Sequence, residues 1–431
     1  MIHFSVQRLI GVCALALAGM LAGCGGASST VNPLQASRVI AFGDALSAVG
    51  NGSSTSLTSL DGRLTINGDG TDILNSASTP ITVLTPTTIP EVLANVYGLW
   101  TTPPVKALIT GASQNIPSSG KLVSYAVANS MINPSASVLS GDTLTYRDGL
   151  GGTDASLSQQ VQQFITYDGG PKDNDLIIVT AGTRDLLSLA VRYLGSTGTT
   201  KLANGTTSWV PATNLVAKLG GPLTKDQVFT QLDATTTELV AQVDKLIAAG
   251  AKHVVVLEPL NLSRTPWGLS LDTASVAFLR SLSYDTDTSC IKGNSQNSLH
   301  CKLTIALSAK YPPTVYGQKI LAVDVSQYVN LMSGTTTTGS ADTYVSYFSQ
   351  LPTIPACSVV PPIASPMNIR TWDISSLSSS YTTGCDANAN GWVDTTFTGF
   401  MFADNLNLSP QGNLLLGSYI YNSSMYRAAW R

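Results

Sequence analysis

Five short apolar runs punctuate the chain: Arg38–Phe42 (RVIAF), Leu122–Val127, Leu176–Ala181 (LIIVTA), His253–Leu257 (HVVVL) and Ile320–Val325 (ILAVDV). Each reads as a strand, and LIIVTA, apolar without a break, fits a parallel strand covered on both faces. Helical patterns lie between them. Ser156–Tyr167 precedes the third run. A longer pattern from Lys225 to Ala249 follows Thr224, an N-cap residue, with Gln227 placed to complete a capping box and Gly250 to stop the helix. Val228, Leu232, Leu239, Val243 and Leu246 recur along it at helical spacing, a stripe that packs on a sheet. A last helix runs from Gln411 to about Tyr421, after Pro410. Strand and helix in alternation predict an α/β fold, a doubly wound parallel sheet of about five strands with helices on both faces. Such sheets place their sites beyond the carboxyl ends of the strands, here positions 42–48, 182–185 and 258–262.

Three polar stretches rich in Gly and Thr, roughly 51–88, 194–222 and 334–400, interrupt the alternation and read as surface insertions in a single domain spanning 38–431. The N-terminus follows another pattern. Arg8 precedes an apolar run from Leu9 to Leu21 that is too short to span a bilayer as a stable helix and reads as an export signal over 1–23. It ends in Leu21-Ala22-Gly23-Cys24, similar to a bacterial lipobox. That similarity implies cleavage before Cys24, lipidation of its thiol and a flexible tether over 24–37. Gly25, where an aspartate would signal retention, points by analogy to the outer membrane of a Gram-negative cell. The membrane, reached through the lipid anchor, is then the first partner.

Composition supports export. With 43% hydrophobic and 11% charged residues, the chain has ample core, and its surface relies on Ser, Thr, Asn and Gly. A net charge of -3 without basic runs excludes nucleic acid as a partner. Of six cysteines, Cys13 leaves with the signal and Cys24 carries lipid. Cys290, Cys301, Cys357 and Cys385 remain, an even number suited to disulfides. Three pairings are open, and the short loops favour Cys290–Cys301 with Cys357–Cys385. Zinc is the poorer reading of these cysteines, since the chain has no CxxC pair and His300 is the only nearby imidazole.

Four segments in order carry a resemblance. They are FGDALSAVGN (42–51), SYAVANS (124–130), NDLIIVTAGTRDLL (174–187) and FADNLNLSPQG (402–412). They resemble the four motif blocks of the GDSL, or SGNH, ester hydrolase family, whose fold is flavodoxin-like. The resemblance covers about residues 38–425. It implies a serine nucleophile, a histidine base oriented by an aspartate, and an oxyanion hole of a backbone amide, a glycine N–H and an asparagine amide. At the matching positions this chain carries Ala45 for the serine, Asn407 for the histidine, Arg184 for the asparagine and Ala128 or Asn129 for the glycine. Asp404 alone keeps its identity. No catalytic set is intact. Ser47 reads as a helix cap, and His253 and His300 as packing or surface residues.

The resemblance therefore implies a lipid-anchored pseudohydrolase that binds an ester, lipid or glycan ligand, or a protein partner. An active esterase or lipase with non-standard residues is one alternative, and a purely structural envelope scaffold another. Asp44, Arg184 and Asp404 are the candidate binding residues. Arg184 would pair with Asp44 or Asp404, bind an anionic ligand, or point to solvent. No cofactor is required. One accessory metal site stands out: Asp386, Asn388, Asn390 and Asp394, with Gly391 between, match positions 1, 3, 5, 9 and 6 of a calcium loop. Phe397 stands where its bidentate acid belongs, so calcium there would bind weakly.

Overall fold

A computed structural model describes residues 33–49, 86–100, 104–114, 120–127, 130–132, 155–196, 221–284, 290–333, 399–403 and 406–428, with a few isolated positions besides. The signal and lipobox, most of the three insertions, Cys357, Cys385 and the calcium-like loop at 386–394 lie outside the described residues, as do Ala128, Asn129 and Asp404.

The core is one parallel sheet of six strands. In chain order they are β1 (Arg38–Gly43), β2 (Val105–Lys106), β3 (Leu122–Ser124), β4 (Asp175–Thr180), β5 (Val254–Leu257) and β6 (Ile320–Val323). In space they run β2-β3-β1-β4-β5-β6, and every pairing is parallel. All five expected strands are present. The edge strand β2, two residues long, is the addition, too short to show a pattern in sequence. A separate antiparallel pair joins Ile73–Leu74 to Pro80–Ile81.

Both faces of the sheet are covered, and successive side chains show it. In β4, Leu176 and Ile178 enter one core while Ile177 and Val179 enter the other. In β5, Val255 and Leu257 part from Val254 and Val256 in the same way. This two-sided burial is the reason the runs are continuously apolar. Arg38 and Asp175 are register partners in β1 and β4, and the Arg38 guanidinium donates to both carboxylate oxygens of Asp175 at 3.0 and 2.6 Å.

The helices are α1 (Ile89–Val96), α2 (Leu157–Gln162), α3 (Thr183–Ser196), α4 (Lys225–Ala248), α5 (Pro266–Leu269), α6 (Thr273–Ser283), α7 (Leu299–Lys310), α8 (Val325–Met332) and α9 (Pro410–Tyr419). Wider π-type turns extend α2 over Gln163–Tyr167 and α9 over Ile420–Met425. One face of the sheet packs α1, α8 and α9; the other packs α2, the C-terminal half of α4, and α7. A third apolar cluster joins α3, α6 and the first turns of α4. The capping box at Thr224 forms as expected: the hydroxyl accepts from the Gln227 N–H and the Gln227 amide oxygen accepts from the Thr224 N–H. Among the described residues no helix is long and apolar enough to cross a membrane.

Candidate functional site

The chain leaves β1 toward β3 on one side and returns to β4 on the other. Strand order therefore reverses at β1, and the carboxyl ends of β1 and β4 flank the switch point where doubly wound sheets open a crevice. Three of the four motif segments end there directly. Asp44 follows β1, residues 125–127 follow β3, and Thr183, Arg184 and Asp185 follow β4. The fourth shares their packing: Phe402 and Leu408, paired by an antiparallel bridge, join the same core as Leu46 and Val49, while Leu406 joins the cluster around α3.

Gly43 makes this junction possible. Its φ of 118° is open only to glycine, and a Cβ there would lie 1.4 Å from the Thr180 carbonyl oxygen. The flanking backbone groups are satisfied by Gln160 of α2, whose amide oxygen accepts the Gly43 N–H at 2.7 Å. The Gln160 NH2 donates to the Gly43 carbonyl and to the Ser130 hydroxyl, each at 3.0 Å. Gln160 is fully buried and went unnoticed in the sequence, because a helical glutamine carries no signal of the backbone it will meet.

Asp44 turns inward. Its carboxylate accepts the Thr183 N–H at 3.0 Å and the Leu46 N–H at 3.4 Å, so the end of β1 is tied to the first turn of α3. Burial dominates and pushes its pKa up to about 6, against the lowering effect of these donors. Asp185 accepts the Ile132 N–H at 3.1 Å. Burial, with a smaller contribution from the charge of Asp44, pushes Asp185 up to about 7, while Ile132 and the Arg184 charge pull the other way. Arg184 itself is buried, 8% exposed, so the solvent-facing option for it falls away. Ala45 is half-buried beside them, and Asn407 is buried with its carbonyl accepting the Ala403 N–H. Ser47 lies in the turn formed by residues 44–47, and its buried hydroxyl has no hydrogen-bond partner among the described residues; the segment that a helix capped by it would occupy, from residue 50 on, lies outside them.

A second group sits two strands further along the same edge, a site that sequence reasoning had not assembled. Glu258 directly follows β5 and Asp324 directly follows β6; their preceding residues, Leu257 and Val323, are register partners. His300 stands in the first turn of α7, and its Nδ1 lies 2.9 Å from both oxygens of Glu258 and 3.9 Å from Asp324 Oδ2. His300 is thus neither a plain packing residue nor a surface one. Burial pushes Glu258 up to about 7 against the pull of the imidazole. Burial lowers His300, but the hydrogen bond to Glu258 and the two acidic charges outweigh it and leave it raised. The ligand atoms of Glu258, His300 and Asp324 lie within 4.8 Å of one another, a set able to hold a metal ion. Cys290 and Cys301 form the expected disulfide immediately beside His300. The positions after β5 were legible as a site region; the acid–imidazole meeting was not, since Glu258 and His300 are 42 residues apart.

His253 lies at the other edge. It precedes β5, and its ring meets Trp430 edge-on at 5.1 Å. Neither described imidazole is hydrogen-bonded to a hydroxyl. The class defined by this architecture is an α/β protein with a parallel, doubly wound sheet and two polar groups at its carboxyl edge. No protein-family model matches the chain, and no curated protein matches it.

Proposed function

We propose that this chain is a lipid-anchored envelope protein built on an SGNH-type hydrolase frame, which holds a ligand or partner at the switch point and does not cleave it. The observation that supports this reading best is the chemistry around Ala45. Where acyl transfer would need a hydroxyl within reach of an imidazole, the chain carries a methyl group at Ala45, next to Asp44, and Asp44, Arg184 and Asp185 at the same switch point are all buried. His300 is engaged by Glu258, and His253 faces Trp430 at the opposite edge. The ligand class that suits such a frame is an ester, a lipid or a glycan. The reading requires no cofactor, and weak calcium at Asp386, Asn388, Asn390 and Asp394 is an accessory to it. Anchoring through Cys24 places the protein at the outer membrane.

Catalysis by a triad is lost as a unit, so the test pairs the native chain with a restored one. Against short p-nitrophenyl esters the native chain is expected to match buffer, and Ala45→Ser with Arg184→Asn and Asn407→His to exceed it by at least about tenfold, since nucleophile, base and one oxyanion donor are then restored. Turnover by the native chain overturns the reading in favour of an active esterase. That second reading draws on the His300–Glu258 pair, an acid-oriented imidazole on the same sheet edge, and loss of the turnover in His300→Gln would establish it.

A further inference from the structure

We propose that Glu258, His300 and Asp324 form a binding site for one divalent transition-metal ion, with zinc as the first choice. Three independent elements bring the donors together: the ends of β5 and β6 supply the carboxylates, and the first turn of α7 supplies the imidazole. Because β5 and β6 are paired in register up to Leu257 and Val323, Glu258 and Asp324 leave the sheet side by side. The helix turn that presents His300 is fixed twice. The Ser298 hydroxyl accepts the Cys301 N–H, and the Cys290–Cys301 disulfide joins the same turn to residue 290.

The spacing suits an ion. Donors about 2.0–2.2 Å from a common zinc, at tetrahedral angles, stand roughly 3.3–3.6 Å apart. The observed separations from His300 Nδ1, 2.9 Å to either oxygen of Glu258 and 3.9 Å to Asp324, bracket that value. The third pair, Glu258 and Asp324, offers oxygens within 4.8 Å of each other, and side-chain rotation brings the donors to a common ion. In this geometry Nδ1, the nitrogen already aimed at both acids, is the ligand atom.

The charge count points the same way. Two carboxylates face one imidazole, and among the described residues no lysine or arginine forms an ion pair with any of the three. With both carboxylates ionised, an imidazolium leaves the group one net negative charge, at a place where Glu258 is 3% exposed. With a neutral imidazole and a divalent ion the charges cancel, which is the arrangement that low-dielectric surroundings favour. The donor set selects among ions. One nitrogen with two oxygens suits zinc or manganese better than calcium or magnesium, which take all-oxygen shells. Cys301, locked in the disulfide, offers no thiolate. His300 and Asp324 are 21% and 22% exposed, so the ion has a way in and keeps a position for water or an external ligand.

The test is calorimetric titration of the chelator-treated full chain with zinc chloride, alongside cobalt(II) absorption. The expected result is one ion per chain, at least tenfold weaker binding in His300→Gln and in Asp324→Asn, and cobalt d–d bands without a thiolate charge-transfer band. Calcium at the same concentrations is expected to leave the zinc isotherm unchanged, which separates this site from the 386–394 loop. Absence of zinc and manganese binding up to millimolar concentration overturns the proposal, as does equal affinity in the native chain and both variants. Asp324→Asn alters a partly exposed side chain and keeps the test decisive if His300→Gln does not fold.

Discussion

The two polar groups on the carboxyl edge of the sheet are built on opposite principles. At the switch point side chains mostly hold backbone: Gln160 bonds both sides of Gly43, Asp44 and Asp185 accept peptide N–H groups, and Gly43 lies against the Thr180 carbonyl. At Glu258 the polar atoms hold one another, side chain to side chain, and the chain beneath them is braced by a disulfide. Between the two lies an apolar partition. A Cβ placed on Gly182 would meet Leu299, Ile132 and Pro259 at 3.2 to 3.6 Å, and Leu299 and Pro259 are the immediate neighbours of His300 and Glu258. The first region resists change because its donors and acceptors have fixed positions along the chain. The second can exchange a proton for another cation because its donors are side chains that meet from separate elements.

The largest effect that would break this contrast is expected at Gly43. Gly43→Ala forces a Cβ against a main-chain oxygen at a positive φ, and its cost, at least about 4 kcal/mol, approaches the whole stability of a domain. A urea midpoint within experimental error of the native chain's would show that the junction yields, and that the switch point is not backbone-fixed. The next effect belongs to the second region. Replacing Cys290 and Cys301 with serine opens a link between residues 11 apart, which is expected to cost about 3 kcal/mol. Amide exchange should then speed up at 298–303 and stay slow at 43–47. Equal acceleration in both segments would mean that the two regions open as one unit.

The smallest effect is a pH slope. Asp44 and Asp185, with folded pKa values near 6 and 7, bind protons more tightly when folded than when unfolded. Their contribution to stability is therefore full below about pH 4 and is lost as pH rises through 6 to 7, at about 1.4 kcal/mol for each unit of pKa difference. In Asp185→Asn, which mimics the protonated acid, the stability lost between pH 5 and pH 8 should shrink relative to the native chain, as read by urea unfolding at each pH. An unchanged loss would mean that Arg184 holds Asp185 ionised across that range.

Much of the frame could be read from residues alone, because burial on both faces leaves a local mark. RVIAF, LIIVTA and HVVVL are apolar at every position the two cores require, and Thr224 with Gln227 announces the start of α4 through contacts only three residues apart. The edge strand Val105–Lys106 and the helix at Thr183–Ser196 left weaker marks, the first being two residues long and the second having its polar start inside a motif read for chemistry. The Cys290–Cys301 link could be anticipated from the short loop between them.

What the sequence by itself determined is the order of strands and helices and the identities around Ala45, since periodicity, caps and motif order are properties of neighbouring residues. What only the tertiary structure decided is which distant groups share a dielectric environment. Gln160 reaches Gly43 across 117 residues, and His300 reaches Glu258 across 42. Sheet pairing brings such groups within hydrogen-bond distance, and burial then raises the proton affinity of their carboxyls. Neither the approach nor the desolvation is encoded in any local stretch of chain.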